Sequence, residues 1–191
     1  EGLSSLRGSL SGALRVTQNA ALRTLHGLGG ITAVNGSSTD GYAIRVDSNP
    51  ALKSIEGLNG VTGIIKGGLG IESNPQLVSL TGLENVAGVQ GATTFGWSVR
   101  IGYNTALESL DGLRGLSGAL EGGLWIYGNS VLKRIGFHNV TSYGSGTYGG
   151  QQYSVYIASN DPAGNCASSR VLSAGSASQH YFDANKKTIF F

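Results

Sequence analysis

The sequence has no methionine, one cysteine, three prolines and two tryptophans. A single cysteine excludes an internal disulfide framework of the kind that staples small secreted domains. Charged residues make up 13% of the chain, about half the usual ~25%. Thirteen basic residues stand against eleven acidic ones, and a net charge of +2 makes no case for nucleic-acid binding. No apolar run reaches the ~18 residues of a membrane-spanning helix. No GxSxG nucleophile elbow occurs. His26, His138 and His180 share no metal-ligand spacing, so no metal or other cofactor is expected.

What the chain does have is glycine, 32 of 191 residues, without the Gly-X-Y period of collagen. It also has aliphatic residues spread too evenly for a disordered chain. Their pattern is a repeat. GALRVTQNAALRTLHGLGGI (12–31) returns as YAIRVDSNPALKSIEGLNGV (42–61), GLGIESNPQLVSLTGLENV (68–86), SVRIGYNTALESLDGLRGL (98–116) and GLWIYGNSVLKRIGFHNV (123–140). A worn sixth copy begins at SVYIASNDP (154–162).

Asn19, Asn49, Asn74, Asn104, Asn129 and Asn160 set the register, with spacings of 30, 25, 30, 25 and 31. The alternation makes a two-repeat unit of 55 residues, as from Asn19 to Asn74. Before each asparagine, apolar residues alternate with period two, which predicts a half-buried strand. The inward pairs are Leu14/Val16, Ile44/Val46, Leu69/Ile71, Val99/Ile101, Leu124/Ile126 and Val155/Ile157. After it, apolar residues recur every third position, as Leu52, Ile55, Leu58 and Val61. A near-fixed glycine there (Gly27, Gly57, Gly82, Gly112) argues against a helix, so short extended or irregular sides are expected.

One such repeat cannot bury its own apolar face, whereas stacked repeats can. The pattern therefore predicts an all-β solenoid of about six turns of 25–30 residues over 1–160. The asparagines should form a structural ladder at one corner, bonding backbone groups of neighbouring turns. Residues 161–191 break the pattern and are expected to cap the stack with Val171, Leu172, Tyr181 and Phe182. Glu1, Gly2 and Leu3 align with Glu56, Gly57 and Leu58, in the middle of a repeat. That alignment leads us to expect a longer parent chain.

The motif GLGIESNPQLVSLTGLENV and its copies resemble the receptor L-domain type of leucine-rich repeat. That family includes ligand-binding lobes of growth-factor receptors and long repeat arrays of microbial surface proteins. The glycine-rich, regular copies are more similar to the microbial arrays. The resemblance implies the right-handed β-helix-like fold and an extracellular or cell-surface location.

Candidate sites lie on the outward positions of the strands and in the loops. Trp125, Tyr127 and Tyr156 should form an exposed aromatic cluster beside a row of small residues. Such a patch suits stacking on a sugar ring or a protein contact, or else it shields the sheet near the end of the stack. Long connections fall at 35–41, 90–97 and 143–152, alternating with the short ones at Lys66 and Gly67 and at Glu121 and Gly122. The long ones should emerge from one side roughly 10 Å apart. They carry Phe95, Trp97 and Tyr148, either folded back on their own repeats or free to touch a partner.

Asp47 and Glu72 should be neighbours, but Arg15 and Arg45 share their face, so salt bridging accounts for them better than glycosidase chemistry. Cys166 is either a buried thiol or paired outside this segment. Asn35 and Asn139 sit in N-glycosylation sequons.

The expected function is a non-enzymatic structural or adhesive module of a secreted or surface protein. Its partners would be other protein chains, copies of itself or glycans, with no nucleic acid and no membrane insertion in this segment. The alternative is a receptor's ligand-binding ectodomain, and more remotely a carbohydrate-active β-solenoid enzyme.

Overall fold

Period-two alternation before each asparagine puts one strand in every repeat, and those strands assemble into a single long sheet. The computed structural model describes residues 3–133, 135, 137 and 139–160. The expected cap, Cys166, His138 and His180 lie outside the described residues.

Strand β1 (Gly8–Leu10) leads into β2 (Leu14–Thr17), and β3 (Ile31–Val34) into β4 (Tyr42–Asp47). β5 (Gly63–Lys66) leads into β6 (Gly68–Glu72), β7 (Val86–Gln90) into β8 (Trp97–Gly102), and β9 (Ser117–Leu120) into β10 (Gly123–Tyr127). After β11 (Asn139–Tyr143) comes a hairpin of β12 (Gly146–Tyr148) and β13 (Gln151–Tyr153), then β14 (Val155–Ala158).

The protein is all-β, with parallel sheets. Six strands pair in the order β2-β4-β6-β8-β10-β14, each parallel to the next. Equivalent residues lie side by side, so that Val16 faces Val46, Val46 faces Ile71, and Ile71 faces Ile101. The inward pairs from Ile44 to Ile126 are buried in one continuous core, while Val16, Val155 and Ile157 at its two ends are half-buried.

The three-residue step has a backbone cause. Leu52 N–H donates to Asn49 C=O, Leu58 N–H to Ile55 C=O, and Val61 N–H to Leu58 C=O. Successive tight turns bring every third side chain back to the same side, and Leu52, Ile55, Leu58 and Val61 are all fully buried. Burying each contributes roughly 1.5–3 kcal/mol before entropy is counted. Three of these stretches contain a single 3₁₀ turn, His26–Leu28, Glu56–Leu58 and Asp111–Leu113, where extended or irregular sides were expected. No α-helix occurs among the described residues, and no helix there is long and apolar enough to cross a membrane. The recurring glycine is set by packing between repeats. A Cβ on Gly57 would stand 1.7 Å from Leu25 O, and one on Gly112 would stand 2.1 Å from Leu80 O.

The connecting strands follow the 55-residue unit. They form three separate parallel pairs, β1-β3, β5-β7 and β9-β11, each joining a repeat with a short connection to one with a long connection.

The long connections are closer together than expected. Thr94 N–H donates to Asp40 C=O at 3.1 Å, and Thr147 N–H to Phe95 C=O at 2.7 Å. Each long connection thus reaches over the intervening short one. Beneath it, Gly68 N–H donates to Gly41 C=O and Gly123 N–H to Gly96 C=O, both at 2.8 Å. The expected gap of about 10 Å is closed because the short connections are recessed enough to be bridged.

Candidate functional site

The corner that aims the outward side chains is built from two adjacent residues. The residue before each asparagine is left-handed: Gln18, Ser48, Ser73, Tyr103 and Ser159 have φ between 56° and 60°, and Gly128 has φ 68°. This conformation costs a non-glycine residue roughly 1–2 kcal/mol. It turns the following asparagine inward, where Asn49, Asn74, Asn104 and Asn129 are fully buried. Each backbone N–H donates to the Oδ1 of the next asparagine, from Asn19 to Asn49 (3.1 Å) through to Asn129 to Asn160 (3.0 Å). Each Nδ2 from Asn49 onward donates to a carbonyl of the preceding strand, as Asn104 does to Ile71 O at 2.8 Å.

The outward face of the long sheet runs from charge to aromatic. Arg15 and Arg45 both bind Asp40, at 3.0 and 2.9 Å, and Arg45 also holds Asp47 at 3.1 Å. The Arg45 guanidinium lies 5.0 Å from the centre of the Tyr42 ring. The Tyr42 hydroxyl donates to Glu72 at 3.0 Å, and Arg100 pairs with Glu72 at 2.9 Å. The Arg100 guanidinium in turn lies 4.6 Å over Trp125, within cation–π range. Beyond it, Tyr103, Trp125, Tyr127, Tyr148 and Tyr156 form one aromatic cluster, with ring centres 4.8–6.4 Å apart.

Burial and pairing together set the titration of this face. Burial pushes the Glu72 carboxyl above its ordinary value, against the pull of Arg100 and the Tyr42 hydroxyl. Burial and the Glu72 charge push the Tyr42 phenol strongly up. Burial also raises Asp40, but the Ser38 hydroxyl, Arg15 and Arg45 outweigh it and hold this carboxyl below its ordinary value. Tyr156 is pushed up to about 12 by burial, then by the neighbouring phenols.

Two sequence expectations are corrected here. Trp125 and Tyr156 are not exposed: Trp125 is 2% accessible and Tyr156 8%, while Tyr127 is half-buried. Strand alternation points them outward, but Tyr103 and Tyr148 pack around Trp125, and Tyr148 and Tyr153 around Tyr156. Trp97 is not a free loop residue either. It is buried, with its ring against the backbone of Gly123 and Gly146 and its Nε1 donating to Thr147 O at 3.2 Å. Phe95 and Tyr148 do face solvent, at 60% and 40%.

Tyr103, 48% exposed, was missed by sequence reasoning, as were Tyr42 and Tyr153. A signal existed for the last two. Seven residues before the asparagine, alternate repeats carry Tyr42, Trp97 and Tyr153, and the others carry Gly12, Gly67 and Gly122. Asp47 and Glu72 do lie side by side, but each has an arginine partner. Asn35 and Asn139 are both exposed.

Elsewhere, an open groove of about 620 Å³ is lined by Val78, Glu84, Glu108, Arg114 and Lys133 among others. Within it, Glu108 is paired with Lys133 and Glu84 accepts the Gly82 N–H. Among the described residues, no three His, Cys, Asp or Glu side chains gather as a metal site would require. Comparison with protein-family models, curated proteins and solved structures finds no match to this chain.

Proposed function

We propose that the chain is a non-enzymatic binding module of a secreted or cell-surface protein. In this reading it is a right-handed β-solenoid of the receptor L-domain-like repeat type. It holds a partner, whether another protein, a second copy or a glycan, against the aromatic end of its long sheet. The observation that carries the reading is the gathering of Tyr103 and Tyr148, two of the exposed large side chains, around a buried floor of Trp125 and Tyr156, with exposed Phe95 on the loop whose backbone bonds the Tyr148 hairpin. Exposed aromatics held on a rigid base lose little freedom when covered, so they favour contact. The charged remainder of the face is internally paired, which suits positioning rather than proton transfer.

The test is the triple variant Phe95→Ser, Tyr103→Ser, Tyr148→Ser. Self-association by sedimentation, and retention of extracellular proteins and soluble polysaccharides, are compared with the parent chain. Loss of one of these with an unchanged circular dichroism spectrum supports the reading. A folded variant that keeps every interaction of the parent refutes it.

A further inference from the structure

Within the binding reading above, on which this step rests, we infer that the aromatic end of the long sheet takes a neutral, hydroxyl-rich glycan. Three observations converge on that class.

The first is charge. Arg15, Arg45 and Arg100 are matched on this face by Asp40, Asp47 and Glu72, every one in an ion pair of 2.9–3.1 Å. Three positive and three negative groups cancel, so the face offers no field to an anionic polysaccharide or a charged peptide.

The second is hydrogen bonding. Arg45 Nε, Arg100 Nε and Trp125 Nε1 are buried N–H groups with no partner in the protein. All three are donors, and buried donors call for acceptors. Two of them, on Arg100 and Trp125, belong to side chains stacked on each other at the border between the charged and aromatic halves. Each is closed to solvent as it stands, so an acceptor has to displace the side chain above it, and a ring hydroxyl is small enough to enter without bringing charge.

The third is area. Tyr103 and Tyr148 are 48% and 40% exposed, and even with Phe95, 60% exposed on the adjoining loop, they offer no more than about 300 Å² of aromatic surface. Each side of a stable protein pair needs about 800 Å². The other exposed large aliphatics, Leu3, Leu6, Ile64 and Val78, are no part of the aromatic cluster, so the patch has little to grow into. Tyrosine faces that stack on the C–H side of a sugar ring, with phenol hydroxyls at the rim, suit a few saccharide units.

The experiment is affinity electrophoresis of the whole chain through gels that contain a neutral β-glucan, mannan or xylan, with an anionic alginate gel alongside. Retardation is expected in at least one neutral gel and should persist in high salt. The variants Tyr103→Ala and Tyr148→Ala should each weaken it about tenfold. Ile64→Ser, an exposed change on β5 outside the cluster, should not. On titration with the retarding glycan, tryptophan fluorescence should shift in the parent chain and not in the tyrosine variants. Retention by alginate alone, lost in salt, overturns the inference. So does an absence of retardation in every neutral gel. If the chain then self-associates or retains a protein through Tyr103 and Tyr148, the binding reading stands and only the glycan is wrong. If it does neither, both fall.

Discussion

Asn104 is the most direct test of what holds the repeats in register. Its Oδ1 accepts the backbone N–H of Asn74 at 3.0 Å, and its Nδ2 donates to Ile71 O at 2.8 Å. Both asparagines are fully buried. In Asn104→Ala the Asn74 N–H loses its acceptor and Ile71 C=O loses a donor. A buried polar group left unpaired costs roughly 1–3 kcal/mol, so with two such groups the variant should lose about 2–6 kcal/mol. Asn129 is spared, because its Oδ1 still accepts the backbone N–H of residue 104. Asn19→Ala is the internal control. Asn19 is exposed, and the Oδ1 of Asn49 keeps the residue 19 backbone N–H as a donor. That variant should change stability by no more than about 0.5 kcal/mol. Urea unfolding followed by far-ultraviolet circular dichroism, with the slopes checked for equality, gives both differences. Equal losses in the two variants would show that the ladder is not what fixes the repeats.

Two further outcomes follow from close packing and from charge. Gly112→Ala should be among the most damaging single-methyl changes, since the new Cβ would meet Leu80 O at 2.1 Å. Gly118→Ala, at φ +74° with nothing within 4 Å, should lose only the roughly 1–2 kcal/mol of a left-handed alanine. Thermal melts that rank them the other way would refute the stacking argument. Glu72 has a higher pKa folded than unfolded, so the folded state binds its proton more readily, and its contribution weakens as pH rises from 4.5 through the folded value. Asp40 acts in the opposite sense, with stability present above 3.8 and lost as pH falls through its lowered folded value. On acidification from neutral towards 4.5 the parent should therefore gain stability relative to Glu72→Gln, and parallel stability–pH curves would contradict this.

The inward half of the fold was legible because burial writes itself into sequence as apolar periodicity. Ile44, Val46, Leu69 and Ile71 lie in the core as their alternation demands. The left-handed corner was not legible, since Gln18, Ser48, Ser73, Tyr103, Gly128 and Ser159 share a backbone conformation and no side-chain chemistry. The outward face misled for a different reason. Alternation says which side of a sheet a residue occupies, and it cannot say whether that side is wet. Trp125 points away from the core and is still buried, because Tyr103 and Tyr148 come to it from another corner and from a hairpin. Arg100 and Glu72 were each visible as charges, but their pairing depends on the register of β6 against β8.

The bridging of the long connections has a consequence for how such a chain can change length. Thr94 reaches Asp40, and Thr147 reaches Phe95, only because one short connection lies between each pair. Deleting a single repeat would set two long connections or two short ones side by side. Two long ones would compete for the space now held by Gly67 or Gly122, and two short ones would leave carbonyls such as Asp40 O without their donor. Removing or adding 55 residues preserves every neighbour relation, including the asparagine ladder. The architecture therefore has a parity. It tolerates growth and loss in even steps, and an odd step incurs a packing fault at the seam.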